Sequence, residues 1–104
     1  MSETPATIAA WQEATFGTPG SNASYAIRAL RELAELIQWL SDDDNHPEAG
    51  KEIADVLICL FGASHRMGLD LQAEVDRKMA INRARKWRMT GPGHGQHIPE
   101  EPRP

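Results

Sequence analysis

The sequence EIADVLI, residues 52–58, places two carboxylates within an apolar run that has helical spacing. Positions i and i+3 share a face of a helix, so Glu52 and Asp55 point in the same direction. Ile53, Val56 and Leu57 flank them, which predicts that this direction is inward. Because burying acids beside a core costs free energy, a bound cation is the usual compensation.

An earlier segment, ELAEL at residues 32–36, repeats this pattern with Glu32 and Glu35. Residues 36–51 leave room for the end of one helix, a tight turn and the start of an antiparallel partner. We therefore expect a cage of four carboxylates between two helices. Such a cage suits Mg²⁺, a hard ion that favours oxygen ligands. Zinc and di-iron sites are disfavoured because no histidine lies near either pair. The simpler alternative is a pair of solvated acidic faces.

The remaining pattern predicts an all-α protein, an antiparallel four-helix bundle. Apolar periodicity and turn residues predict a short helix followed by three longer ones, at residues 7–15, 23–41, 47–67 and 70–87. We expect one domain at 1–90 and an irregular Gly/Pro-rich tail at 91–104, with no strand. A single domain of this size buries a modest core, so a homo-oligomer is compatible with it.

Composition excludes several classes of protein. The 104 residues carry a net charge of −4, with no apolar run long enough to span a membrane. The N-terminal segment lacks a basic region, so we expect no signal peptide. The single cysteine, Cys59, cannot form an internal disulfide, suits a reducing cytoplasm and is expected to be a buried, inert thiol.

Basic and amide side chains later in the chain could complement a metal–polyphosphate. Lys78 and Asn82 share a helix face at i, i+4, and Arg66 ends the preceding helix. Surface positions or a helix-packing hydrogen bond are the alternatives. Together with the carboxylates, these residues favour a hydrolase in which metals polarise phosphorus and activate water, with a carboxylate as base.

The segments ELAELIQWL and KEIADVLICLFGASHRMGLDLQAEVDRKMAINRARKW resemble the MazG-like all-α nucleoside triphosphate pyrophosphohydrolases. The resemblance covers about residues 23–88. The family's acidic motifs match these positions: Glu32, Glu35, Glu52, Asp55. Its K-M-x-x-N-R context matches Lys78, Asn82 and Arg83. One departure is Arg31, where the family usually has an acid.

This resemblance implies hydrolysis of a (d)NTP to the monophosphate and pyrophosphate, with Mg²⁺, for which Mn²⁺ could substitute. It implies that the four carboxylates hold the metal and that Lys78, Asn82 and Arg83 bind phosphate. Arg66 is a further phosphate-binding candidate because of its place late in the third helix. It also implies homodimers or homotetramers with active sites near subunit contacts, acting in the cytoplasm of a bacterial cell or phage-infected host.

Aromatic residues are the candidates for base binding. Trp39 lies one turn beyond Glu35, and Trp11 and Phe16 lie in the N-terminal segment, where each could stack on a base or serve in the core. The W-x-x-x-T-F-G stretch at 11–17 resembles small phage-type members, which favours a purine deoxynucleotide, dGTP or dATP. His94 and His97 could touch a ligand, but a mobile tail is the preferred interpretation.

Two rival functions are compatible with parts of the sequence. A nucleic-acid-binding helix at 77–88, which contains six basic residues, is disfavoured by the acidic net charge and by the inward position predicted for Asn82. A silent dimerisation module is disfavoured because it has little reason to keep four inward carboxylates.

Overall fold

The computed structural model describes residues 2–99 and contains four helices followed by a β-hairpin. The elements are α1 Pro5–Phe16, α2 Ala23–Asp42, α3 Ala49–Arg66, α4 Leu71–Ala84, β1 Trp87–Gly91 and β2 His94–His97. The predicted four helices are confirmed. None of the described helices is long and apolar enough to cross a membrane.

Local chemistry explains where α1 begins and where α1 and α3 end. Thr4 and Thr7 form a reciprocal capping box around Pro5 at the start of α1. Gly17 then ends α1 with a φ of +79°, a region that glycine enters without steric cost. Gly68 follows the end of α3 with a φ of +71°, as its position after the apolar pattern predicted.

The described chain divides into two compact units, one up to Leu71 and one from Gln72. In the first unit, α3 packs against both α1 and α2. The prediction that residues 1–90 act as a single domain stays a prediction.

The Gln12 side chain of α1 packs tightly against α3. The side chain of Gln12 is only 3% exposed, and its Nε2 donates a hydrogen bond of 3.0 Å to the carbonyl of Ile58. Its amide group lies over Gly62, where a Cβ atom would come within 2.7 Å of the Gln12 Cδ and Nε2 atoms. Gly62 therefore allows the approach of the two helices.

Much of the apolar surface of α2 and α3 is not covered within the chain. On α2, Leu30 is 64% exposed and Ile37 is 59% exposed, and they share a face with other half-exposed aliphatic residues. On α3, Ile53 and Leu57 are also exposed. The inward apolar face predicted around Glu52 and Asp55 is thus largely open in the isolated chain.

The second unit corrects the prediction for the tail. β1 and β2 pair antiparallel around Pro92-Gly93, and Gly93 has a φ of +73°. The helix predicted to reach residue 87 ends at Ala84, and residues 91–97 are not irregular. His94 and His97 lie in β2.

The alternation of apolar and polar side chains that usually signals a strand covers only four residues of β1, from Trp87 to Thr90, and is absent from β2. Individual contacts stabilise the hairpin in addition to the pairing of its strands. Trp87 Nε1 donates to the carbonyl of Asn82 at 2.8 Å, and Ile98 N donates to the carbonyl of Lys86 at 2.9 Å. The part of the predicted tail at 100–104 lies outside the described residues.

Replacing Gly62 with Ala should lower the free energy of unfolding by about 1–3 kcal/mol, because the new methyl group overlaps the buried amide of Gln12. Chemical denaturation measures the change. Gly50→Ala is the matched control on the same helix, since open space surrounds it, and it should be neutral or stabilising by up to about 1 kcal/mol. Equal effects of both substitutions would contradict the packing described for Gly62.

Candidate active site

Three of the four predicted carboxylates meet where α2 packs on α3. One oxygen each from Glu32, Glu52 and Asp55 lies within 4.8 Å of the others. Glu32 comes from α2 and the other two from α3, so helix packing brings together residues distant in sequence. This spacing is suited to oxygen ligands that share one cation.

Glu52 is the member of the cluster with a buried oxygen, Oε2, that lacks a hydrogen-bond partner among the described residues. Burial raises the pKa of the Glu52 carboxyl, and the neighbouring Glu32 raises it further. Glu35 also interacts with Glu52, and its hydrogen bond acts in the opposite direction on the pKa. The structure therefore places all four predicted carboxylates in one neighbourhood, with a buried oxygen that lacks a compensating group.

These donors fit a hard divalent cation. A carboxylate cluster of this kind suits Mg²⁺ or Mn²⁺, whereas zinc sites favour nitrogen and sulfur ligands. The orphaned Glu52 oxygen is what a bound cation would satisfy. The assignment of the four carboxylates as metal ligands stays a prediction.

A cavity of about 120 Å³ adjoins the carboxylates. Glu32 and Asp55 line it on one side, and Trp11, Phe16 and Tyr25 contribute aromatic rings. The Trp11 and Phe16 rings are in edge-to-face contact, with centroids 5.5 Å apart. The cavity thus joins an acidic cluster to an aromatic wall.

The family model for dATP/dGTP pyrophosphohydrolases matches residues 5–102. The chain belongs to this family. The match confirms the predicted assignment to the nucleoside triphosphate pyrophosphohydrolases.

Individual relatives agree with the family match. A dATP/dGTP diphosphohydrolase of Cyanophage S-2L is 35% identical over 99 residues, which is 95% of this chain and 89% of that protein. One of Salmonella phage PMBT28 is 38% identical over 92 residues, and the match spans only 29% of its length. The dCTP pyrophosphatase 1 of Mus musculus is 34% identical over 84 residues, 72% of this chain and 48% of that protein.

A solved structure has a similar fold. It is the Cyanophage S-2L MazG-like pyrophosphohydrolase bound to dGDP and three catalytic Mn²⁺ ions per active site. It aligns with a TM-score of 0.75 and 31% identity, covering 93% of this chain and 91% of that one. The predicted MazG-like fold is confirmed.

Two other sequence-predicted residues lie away from this cavity. Trp39 does not line it, and its ring instead contacts His46 at a centroid distance of 4.5 Å. Arg66 Nε donates to Asn22 Oδ1 at 2.8 Å. Eleven residues of helical rise place Arg66 about 16 Å from Asp55 along α3. The structure does not bring Arg66 to the carboxylates within one chain, and the binding roles of both residues stay predictions.

The remaining predicted phosphate ligands belong to α4. Lys78 and Arg83 are exposed, and Asn82 is half-buried with its Oδ1 atom unpartnered among the described residues. Because α4 ends at Ala84, the predicted basic helix 77–88 is wrong: its last residues belong to a hairpin. The nucleic-acid alternative therefore loses the continuous helix on which it rested.

Sequence reasoning missed Tyr25, Arg28 and Gln12, which all line the cavity. For the first two, a signal was present. Tyr25, Arg28 and Glu32 follow one another at three- and four-residue steps, so they share a face of α2. Gln12 gave no such signal because its position depends on the packing of α1 on α3.

Cys59 is buried as predicted, and burial raises the pKa of its thiol, which keeps it protonated.

Mn²⁺ or Mg²⁺ should stabilise the protein through the carboxylates. At 100 times its dissociation constant, the ion should raise the melting temperature by about 10 °C. Glu52→Gln should abolish most of this shift. Without metal, its melting temperature should equal or exceed that of the unmodified chain, because ionising the Glu52 carboxyl, with its raised pKa, destabilises the folded state at neutral pH.

Asp44→Asn is the control, since Asp44 lies exposed in the turn between α2 and α3. It should keep the full metal-dependent shift. The cluster is not the metal site if Glu52→Gln keeps that shift as well.

Proposed function

We propose that this chain hydrolyses a purine deoxynucleoside triphosphate, dGTP or dATP, to the monophosphate and pyrophosphate in a Mg²⁺-dependent reaction. The observation that carries the proposal is the convergence of Glu32, Glu52 and Asp55 oxygens within 4.8 Å beside an aromatic-lined cavity. The names of the family and of its phage relatives support the substrate and the reaction.

Each part of the proposed site has a separate task. The carboxylates of Glu32, Glu35, Glu52 and Asp55 hold the metal, and one of this set accepts the proton of the attacking water. When bound, the ion would neutralise phosphate charge and make the water easier to deprotonate. We propose Mg²⁺ as the natural ion, with Mn²⁺, which the related phage structure contains, as a substitute.

The base would occupy the aromatic end of the cavity. Trp11 and Phe16 both line it, and their rings can pack on a flat purine. We extend the phosphate-binding role to Lys78, Asn82 and Arg83 because they match the family's motif. We also propose that the reaction takes place in the cytoplasm of a bacterial cell or a phage-infected host.

A nucleotide panel tests the proposal. Each dNTP is incubated with Mg²⁺, and ³¹P NMR separates pyrophosphate from free phosphate. We expect monophosphate and pyrophosphate, with dGTP and dATP ahead of dCTP and dTTP. Glu52→Gln should lower kcat/KM by more than about 100-fold. Loss of a residue that only supports a metal ligand costs at most about 100-fold, and loss of a ligand itself should cost more.

Asp44→Asn again serves as the control and should keep normal activity. The proposal fails if no dNTP is consumed. Release of free phosphate without pyrophosphate would contradict the proposed products. A salt-sensitive shift of duplex DNA by a chain that lacks hydrolytic activity would favour the nucleic-acid alternative.

We further propose that the chain works as a homodimer or homotetramer. α2 carries an exposed aliphatic stripe that includes Leu30 and Ile37, and contiguous exposed apolar patches mark interaction surfaces. A second copy would cover such a stripe, because symmetric association matches one apolar face with another.

Light scattering after size-exclusion chromatography tests the oligomeric state. We expect a mass of two or four chains, and Leu30→Glu should lower it by placing a charge in the contact. Ala10→Glu, on the exposed face of α1 opposite Gln12, should leave the mass unchanged. A monomeric mass for the unmodified chain would contradict the proposal.

A further inference from the structure

One charged residue of the cavity has no role in the function proposed above. Arg28 is the single cationic side chain among the described residues that line the cavity between the aromatic rings and the carboxylates. It lies one helical turn before Glu32 and one turn after Tyr25 on α2. α2 therefore presents an aromatic ring, a guanidinium and a carboxylate in sequence along one face.

The position of Arg28 is set by an aromatic contact. Its guanidinium carbon lies 4.3 Å from the centroid of the Phe16 ring, and Phe16 in turn packs edge-to-face against Trp11. This contact holds the planar guanidinium beside the rings that are proposed to receive the base.

The hydrogen-bonding groups of Arg28 are available. Among the described residues, no hydrogen bond or ion pair engages its guanidinium, and Glu32 one turn away is not paired with it. A guanidinium offers five N–H donors in a rigid planar fork and no acceptor. The ligand group that it recognises must therefore supply acceptors, in or near one plane.

We propose that Arg28 is a specificity-determining residue that donates to the N7 edge of the purine base. This inference rests on the proposed function. Both purines carry the N7 acceptor, and guanine adds O6 beside it, which matches the two-pronged fork of arginine. Pyrimidines have no N7, so the same residue selects purines over pyrimidines.

A phosphate is the competing acceptor for an arginine fork. The order of residues along α2 favours the base. Arg28 lies on the aromatic side of Glu32, whereas Glu35, the next carboxylate, lies on the other side. A nucleotide whose phosphates meet the carboxylates would extend its base toward Arg28, Tyr25 and Phe16.

The test compares each purine triphosphate with its 7-deaza analogue, in which N7 is replaced by C–H. For the unmodified chain, kcat/KM for dGTP should exceed that for 7-deaza-dGTP by roughly 10-fold or more, the loss expected when a bidentate contact is broken. Arg28→Met should bring this ratio close to one and reduce the preference for dGTP over dCTP.

Arg28→Lys keeps the positive charge but removes the planar guanidinium with its paired donors. It should therefore also bring the ratio of kcat/KM for dGTP to that for 7-deaza-dGTP close to one. Arg31→Met removes the same charge one turn away on α2. Arg31 lines a separate opening with Arg28 and Glu32 but does not line the aromatic cavity, so this variant should leave the ratio unchanged. Circular dichroism and thermal melting confirm that each variant is folded.

Equal rates of the unmodified chain on dGTP and 7-deaza-dGTP would overturn the inference without any variant. A uniform loss on all dNTPs in Arg28→Met, with unchanged ratios, would assign Arg28 to the phosphates and also overturn it. Failure of the proposed function is a different result, because then the unmodified chain hydrolyses no dNTP.

Discussion

The structure depends on one electrostatic constraint, the crowding of carboxylates where α2 packs on α3. Packing of these helices brings Glu32, Glu52 and Asp55 together, although ionised carboxylates at such distances repel. The free Oε2 atom of Glu52 and the raised pKa of its carboxyl are the direct consequences. A cation held there as proposed would turn the same geometry from a cost into a gain, and the cost in stability falls at the site where chemistry is proposed.

α1 gives that acidic cluster a neighbouring cavity. Its Gln12 side chain bonds the carbonyl of Ile58 and lies over Gly62, so the helix sits against α3 at short range. Trp11, next in sequence to Gln12, thereby lines the cavity that begins at Asp55. The contact between Gln12 and Gly62 therefore fixes α1, and with it Trp11, beside the cavity where a base would bind. Few other residues of this unit are fully buried, which makes this contact proportionally important.

Sequence reasoning succeeded where a local rule carries the information. The i, i+3 spacing of Glu32 with Glu35 and of Glu52 with Asp55 places each pair on one face, and antiparallel packing then brings the pairs together. Contacts that arise only from folding were not predicted. The contact of Trp39 with His46 depends on the turn after α2, and the contact of Arg66 with Asn22 depends on how the end of α3 approaches the start of α2. The hairpin was missed because its alternating pattern covers only four residues of β1 and is absent from β2.

α2 takes part in both the proposed active site and the exposed apolar surface. One side of the helix carries Tyr25, Arg28 and Glu32 toward the cavity, and roughly the opposite side carries the exposed Leu30 and Ile37. A helix that is fixed on one side only would be free to shift its carboxylates relative to α3, which would weaken any site that requires a narrow range of metal–oxygen distances. Covering the apolar side with a second copy would remove that freedom. The same contact that shields the stripe from water would then hold Glu32 in register with Glu52 and Asp55, so assembly and metal affinity would rise and fall together.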